Sequence, residues 1–292
     1  MTTFERAQRE ELVRLVSRRA RAPGSTATAI SWLSLLAAER PNRIAHGVIE
    51  PSLCLVVQGE KRLLVRAQQY RYGAGSYSMS AIEYPTAGHV TKAPYLAVRA
   101  TFTPGELAAV IAETGTPVAA APAGEPVYVS EADARLWGAL LRVVQLLDEP
   151  DGGAALAAGA KRELIVRLLR TDRAPLIARS VTPTNLGVGR ALDWLRQHYA
   201  EHVDIEVLAK RSRMSVSSLR HEFKAATALA PLEFQKQLRL VQARRLLLAG
   251  EADAGGAAFA VGYKSASQFS REYRRMFGAP PVRDVKAFVA AL

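Results

Sequence analysis

Cysteine is almost missing from this chain: Cys54 stands alone in 292 residues. No intramolecular disulfide can form, which fits a reducing cytoplasm. No apolar run approaches the ~18 residues of a membrane-spanning helix, so no membrane partner is expected. The first twenty residues set Phe4, Leu12, Leu15 and Val16 among Glu and Arg. They lack the apolar core of a signal peptide, and a short amphipathic helix is expected there instead. Histidine is scarce as well: only His46 and His89 precede residue 185. A metal-binding barrel needs several clustered imidazoles with a carboxylate, so no metal and no other cofactor is expected. No Ser/His/Asp, paired-carboxylate or phosphate-loop pattern stands out, and Gly73-Ala74-Gly75 reads as a turn, so no enzyme activity is expected.

What is abundant is positive charge, +12 in net. Residues 185–292 carry 17 Lys/Arg against 10 Asp/Glu, and residues 1–184 carry 22 against 17. The excess is denser at the C-terminal end, as a polyanionic partner favours. The length suggests two domains, each able to bury a core.

The C-terminal stretch holds an internal repeat. Ser215-Val216-Ser217-Ser218-Leu219-Arg220-His221-Glu222-Phe223 returns fifty positions later as Ser265-Ala266-Ser267-Gln268-Phe269-Ser270-Arg271-Glu272-Tyr273. Leu219/Phe223 and Phe269/Tyr273 are spaced i,i+4, so each pair shares one helix face. The opening Ser suits an N-cap. Ser217, Ser218, Arg220, His221 and Lys224 are left outward in the first copy. Ser267, Gln268, Ser270, Arg271, Arg274 and Arg275 are left outward in the second. Arg forks onto guanine, Gln onto adenine, and Ser bonds to either base edge or phosphate. One basic amphipathic helix is ordinarily just a solvated face; two matched copies argue for a shared task.

Each copy follows another short helix. Asp204 can cap a helix over Ile205–Arg213, with Ile205, Leu208 and Ala209 inward, and the turn Arg213-Met214-Ser215 leads into a helix over 216–226. In the second unit Ala257–Val261 turns through Gly262-Tyr263-Lys264 into a helix over 265–276. Gly262 can supply a left-handed residue there, and Gly278 can end the helix before Pro280-Pro281. Both units read as helix-turn-helix. Between them Pro231–Ala249 makes one helix of about 28 Å. A DNA turn is ~34 Å, so this helix could set two recognition helices in successive major grooves.

Upstream the pattern is β. Leu53–Val57, a turn at Gln58–Lys61 and Arg62–Val65 read as a hairpin. Tyr70–Tyr72, Ser76–Met79 and Tyr95–Phe102 continue the strands, with Pro85 and Pro94 in connections. Close-set short strands suggest a small barrel or sandwich. From Ser130 the period becomes helical: Ser130–Asp133 can cap a helix to about Leu147 with Leu136, Leu140, Val143, Val144 and Leu147 as its stripe. Leu156–Arg170 forms a second helix. The expected organisation is an α+β chain with a regulatory domain over 1–170, a linker over 171–184 and an all-α domain over 185–292.

Ala258–Ser265, Gln268–Tyr273 and Phe277–Pro281 are similar to the signature of AraC/XylS-type bacterial transcription regulators. Glu50–Gly59, Tyr72–Gly75 and Ala93–Leu96 resemble the regulatory domain of one subgroup, so the resemblance covers about residues 40–292. It implies a cupin-like β-barrel with helices, then seven DNA-binding helices in a double helix-turn-helix. By motif position the base readers are Ser217, Arg220 and His221, then Ala266, Ser267, Gln268 and Arg271; Ala266 offers only an apolar contact. The implied function is a ligand-responsive activator in the cytoplasm, with promoter DNA, RNA polymerase and a small-molecule effector as partners. The leucine stripes at 131–147 and 156–170 fit either a homodimer contact or packing within their own domain.

Arg66, Tyr70, Arg71, Tyr72, Tyr77 and Arg99 are candidate effector residues. Such a set suits an anionic or aromatic ligand, a cyclic dinucleotide included, though strand Tyr and Arg also make ordinary amphipathic surface. Cys54, in an apolar strand, reads as a small core residue. Its sharper reading is an electrophile or oxidant sensor, which needs an accessible thiolate; the resemblance implies a response to reactive aldehydes in some members. Two other classes stay open: a small-molecule binding protein with incidental basic helices, and an enzyme on a cupin-like barrel.

Overall fold

The computed structural model describes residues 3–20, 22–65, 68–80, 84–116, 127–149, 153–180, 182–227 and 229–289. They divide into two compact units, residues 1–45 with 49–186, and residues 46–48 with 187–292.

The N-terminal part runs α1 (Thr3–Arg19), β1 (Gly24–Ala27), β2 (Leu33–Ala38), β3 (Ala45–Ile49), β4 (Ser52–Val65), β5 (Gln68–Gly73), β6 (Ser76–Ser80), β7 (Tyr84–Thr101), α2 (Pro104–Thr114), β8 (Val127–Glu131), α3 (Ala134–Gln145), α4 (Gly153–Leu168) and α5 (Ala174–Ser180). Among the described residues eight strands form one sheet in the order β1-β2-β7-β4-β6-β8, with β3 on β7 and β5 on β4. The path is open: β1 and β8 stand at its ends and do not pair with each other. The α+β class holds, but the expected closed barrel is corrected to an open sheet. Its end strands are only four and five residues long, which leaves few backbone groups unpaired at the edges.

The sheet is buried on both faces. Leu53, Leu55 and Val57 of β4, with Leu96, Val98 and Ala100 of β7, enter one core. Cys54 and Val56, with Tyr95 and Ala97, enter the other. This is the period-two alternation of a strand, and burial on both sides explains the unbroken apolar run at Leu53–Val57. The larger core also takes Leu12, Leu15 and Val16 of α1, Leu136, Leu140, Val143 and Val144 of α3, and Leu164, Ile165 and Leu168 of α4. The leucine stripes therefore pack within their own domain, leaving Leu156 exposed at 55%.

The expected hairpin at 58–61 is one continuous strand. Gly59 takes φ +80°, and the register with β7 slips between Val56 and Gln58 and again before Glu60. A Cβ on Gly59 would stand 2.5 Å from the Lys92 carbonyl oxygen and 2.6 Å from that of Pro94. The glycine thus serves a bulge that bends the strand, not a reverse turn. Pro94, expected in a connection, lies inside β7, and 62–65 pair antiparallel with β5, Val65 opposite Gln68, and on the other side with β7, Leu64 opposite Ala87.

Helix α2 was not foreseen, although Thr103-Pro104-Gly105-Glu106 carries its signal. Thr103 Oγ1 accepts from Glu106 N at 3.2 Å, and Glu106 Oε2 accepts from Thr103 N at 2.8 Å. That is a capping box with Pro at the first position. Of the four residues expected to cap α3, Asp133 does so, accepting from Leu136 N at 2.8 Å, while Ser130 and Glu131 belong to β8.

The C-terminal part runs α6 (Pro183–Gln197), α7 (Ile205–Arg211), α8 (Val216–Thr227), α9 (Pro231–Leu248), α10 (Ala254–Ala260), α11 (Ala266–Phe277) and α12 (Pro281–Val289). These are seven helices among the described residues. The stretch 171–184 contains α5 and the start of α6. Pro281, expected only to stop a helix, opens α12.

Candidate nucleic-acid interface

The two repeat copies fold into two similar units, one before and one after α9 in the chain. In the first, Asp204 caps α7 by accepting from Glu206 N at 2.8 Å, and Ser215 caps α8 by accepting from Ser218 N at 3.1 Å. In the second, Asp253 caps α10 through Gly256 N at 2.6 Å and Ser265 caps α11 through Gln268 N at 3.3 Å. Each cap is worth ~1 kcal/mol and fixes where its helix begins. Leu219 and Phe223 are buried, and Phe223 meets Phe234 of α9 edge-on at 5.5 Å. Phe269 and Tyr273 are buried, and the Phe269 ring lies with its centroid 5.3 Å from that of Tyr263 and 5.4 Å from that of Tyr273.

The turns share a hydrogen-bond pattern but differ by one residue. Met214 N bonds to Ala209 O at 3.0 Å, and Tyr263 N to Ala258 O at 2.9 Å. The residue before each is left-handed: Arg213 at φ 55° and Gly262 at φ 86°. Arg213 stands two before Ser215 and Gly262 three before Ser265, so the second turn is longer. Only Gly262 is sterically obligatory. A Cβ there would lie 2.8 Å from the Ala200 carbonyl carbon and 3.0 Å from its Cα.

The sequence reading did not single out the groups that hold these helices to α9. The Arg239 guanidinium donates to the carbonyls of Tyr199 (2.6 Å), Glu201 (2.9 Å) and Gly262 (3.1 Å), tying the end of α6 to the second turn. Arg244 and Asp284 pair at 2.7 Å with side chains only 8% and 13% exposed, and Tyr273 donates to the same carboxylate at 2.8 Å. Glu272 receives Lys236 at 3.2 Å, Tyr263 at 2.7 Å and Gln268 at 3.3 Å. Burial opposes ionisation of Glu272, but the Tyr263, Gln268 and Lys236 donors outweigh it and hold its carboxyl below the usual range. The signal for Glu272 was present, since Glu occupies the eighth place of both copies; the partners on α9 carried none.

The side chains expected to read DNA lie where the repeat put them. Ser217, Ser218, Arg220, His221 and Lys224 on α8 are all exposed, as are Ala266, Ser267, Gln268, Arg271, Arg274 and Arg275 on α11. Ser270 is half-buried. Each helix thus shows solvent a face of cations, hydroxyls and, on α11 alone, an amide.

Among the described residues the candidate effector set is divided between the two faces of the sheet, Tyr70 and Tyr72 on the smaller core and Tyr77 in the larger. Tyr72 is buried in the smaller core, where its hydroxyl meets Ser78 Oγ at 3.1 Å, and Tyr77 is buried in the larger core on the other face. Arg71 is exposed and pairs with Glu60 at 2.8 Å. Tyr70 donates to Gln68 at 2.6 Å, and Arg99 to Ser34 at 3.1 Å. Arg66 lies outside the described residues. Cys54 is 6% exposed, and burial pushes its thiol up, away from the thiolate that a sensor needs. Among the described residues no three His, Cys, Asp or Glu gather to hold a metal, and no helix is long and apolar enough to cross a membrane.

Residues 29–176 match the AraC-type transcriptional regulator N-terminus, and residues 208–286 match a helix-turn-helix domain. The chain belongs to the AraC-type transcriptional regulators. This AraC-type chain is 30% identical over 141 residues to the HTH-type transcriptional activator RhaS of Escherichia fergusonii, covering 48% of this chain and 51% of that protein. It is 28% identical over 146 residues to RhaS of Escherichia coli strain SE11, with coverage of 50% and 52%. It therefore spans about half the length of the curated relatives it matches. An apo ToxT variant from Vibrio cholerae strain SCE256 shares the fold, with a TM-score of 0.59 at 10% identity over 91% of this chain and 99% of that one.

Proposed function

We propose that this AraC-type regulator is a sequence-specific DNA-binding activator of transcription. Its α8 and α11 would enter successive major grooves on one face of the duplex. The observation that carries the reading is the pair of matched exposed faces on the two helices that flank α9 in the chain. The 18 residues of α9 span about 27 Å, close to the ~34 Å of one DNA turn. Because Arg220-His221 stands where Ser270-Arg271 stands, and Ser218 where Gln268 stands, the two half-recognitions differ. One monomer would then read an asymmetric site. RNA polymerase is the protein partner that activation requires, the N-terminal unit the sensor of a small molecule, and the cytoplasm the place of action.

Fluorescence anisotropy with a selected duplex tests the reading. Arg220→Ala and Arg271→Ala should each weaken binding ~5- to 150-fold, because one bidentate base contact is worth ~1–3 kcal/mol. Lys224→Ala should lower affinity evenly across sequences and reduce the salt slope by ~1. Unchanged affinity in the Arg220/Arg271 double variant would reject base reading by these helices.

A further inference from the structure

The N-terminal unit contains a cavity of about 440 Å³ between α2, α4 and the β1–β2 connection, a size usual for small-ligand sites. It lies apart from the Tyr and Arg residues of the strands. Ile30, Val110, Ala157 and Ile165 wall it, all 5% exposed or less. Four charged groups line it: Glu106 and Glu113 from α2, Lys161 and Arg162 from α4.

The donors and acceptors of these groups are unequally engaged. The Lys161 side chain is only 10% exposed; its Nζ donates to Glu106 Oε1 at 2.6 Å and lies 5.4 Å from the centre of the Trp32 ring. Glu106 Oε2 accepts from Thr103 N at 2.8 Å as part of the capping box of α2. Both Glu106 oxygens are therefore committed, and turning the carboxylate toward a ligand would uncap the helix. Lys161 has three N–H donors and gives one to Glu106. At the rim, Arg162 donates one guanidinium nitrogen to Glu113 and carries further N–H groups. Apart from the second oxygen of Glu113 at the exposed rim, the spare hydrogen-bonding capacity is on the donor side. The two cations and two carboxylates cancel, which disfavours a dianion such as a phosphate monoester, while the remaining N–H donors of the buried Lys161 can take one carboxylate. We propose that this cavity binds an apolar monocarboxylate, its carboxylate on Lys161 and its hydrocarbon body among Ile30, Val110 and Ile165.

The inference deepens the sensing role proposed above, and its test uses the full chain without DNA. Isothermal titration with octanoate should give saturable one-to-one binding. Octanamide, the neutral counterpart, should bind at least tenfold more weakly, and octylammonium should give no saturable heat. Lys161→Gln should weaken octanoate at least tenfold. Because that change also unpairs Glu106, Ala158→Trp serves as the second variant: Ala158 is an exposed residue of the cavity wall, so the indole fills the space without entering the core. It should abolish octanoate binding while the unfolding midpoint stays unchanged. Equal binding of octanoate and octanamide, octanoate binding retained in Ala158→Trp, or no octanoate heat at all would each overturn the proposal. Duplex binding by Ala158→Trp, measured separately, should match wild type; a failed titration with intact duplex binding rejects the cavity and leaves the DNA-reading role standing.

Discussion

Gly262→Ala perturbs the second turn at a point where two costs can be separated. The first is conformational: a side chain at φ +86° costs ~1–2 kcal/mol. The first unit already bears that cost, since Arg213 sits at φ 55° in the corresponding place. The second is steric. The added Cβ would lie 2.8 Å from the Ala200 carbonyl carbon, and that backbone cannot swing away freely because Arg239 bonds both the Ala200 and Gly262 carbonyls. Overpacking of this kind adds ~1–3 kcal/mol, for a total of about 2–5 kcal/mol. Gly278→Ala is the control: φ is +84°, and nothing lies within 4 Å of its would-be Cβ, so only the first cost applies. Hydrogen exchange of the α10 and α11 amides in the full chain measures both variants. Gly262→Ala should lower protection by about 1–3 kcal/mol more than Gly278→Ala. Equal losses would refute the close approach of the second turn to the end of α6, and with it the docking of α11.

Asp284→Ala strips the buried Arg244 and Tyr273 of their shared acceptor and should cost ~3–5 kcal/mol in urea unfolding; a cost under ~1 kcal/mol would mean that the pair is solvated. Glu272 is held below its ordinary value of 4.5, so its contribution is present above that pH and lost as pH falls through the lower folded value. The stability advantage of wild type over Glu272→Gln should therefore be full at neutral pH and shrink below pH 4.5; a pH-independent gap would exclude this carboxylate as the source. Cys54, buried and with its thiol pushed up, should stay inert to Ellman's reagent in the native chain and react once the chain is unfolded in urea. Fast native labelling would restore the sensor reading.

The C-terminal unit was the more legible part because its information is local and stated twice. Ser215 and Ser265 cap, Leu219/Phe223 and Phe269/Tyr273 face inward, and the polar faces follow from helical geometry, so α8 and α11 begin and end within a residue or two of expectation. The ties of Arg239, Arg244 and Lys236 were not legible, because they join residues up to forty positions apart. In the N-terminal unit the strands at Leu53, Tyr70, Ser76 and Tyr95 were visible from pattern, but pairing was not. A glycine between apolar runs reads alike as turn or bulge, and only the partner strand at Lys92–Pro94 decides that Gly59 bends β4. The described candidate effector residues are split for a related reason: Tyr72 and Tyr77 fall on opposite faces of the sheet, and a strand places them by register rather than by proximity in sequence.

The central claim is that one chain reads two unlike DNA segments with α8 and α11. In vitro selection from random duplex DNA, repeated with Arg220→Ala and Arg271→Ala, tests it most directly. The account predicts an asymmetric site of two different segments centred about 10 base pairs apart, with each variant relaxing preference in one segment and sparing the other. A palindrome, a single segment, or the same loss of preference across both segments in the two variants would contradict it.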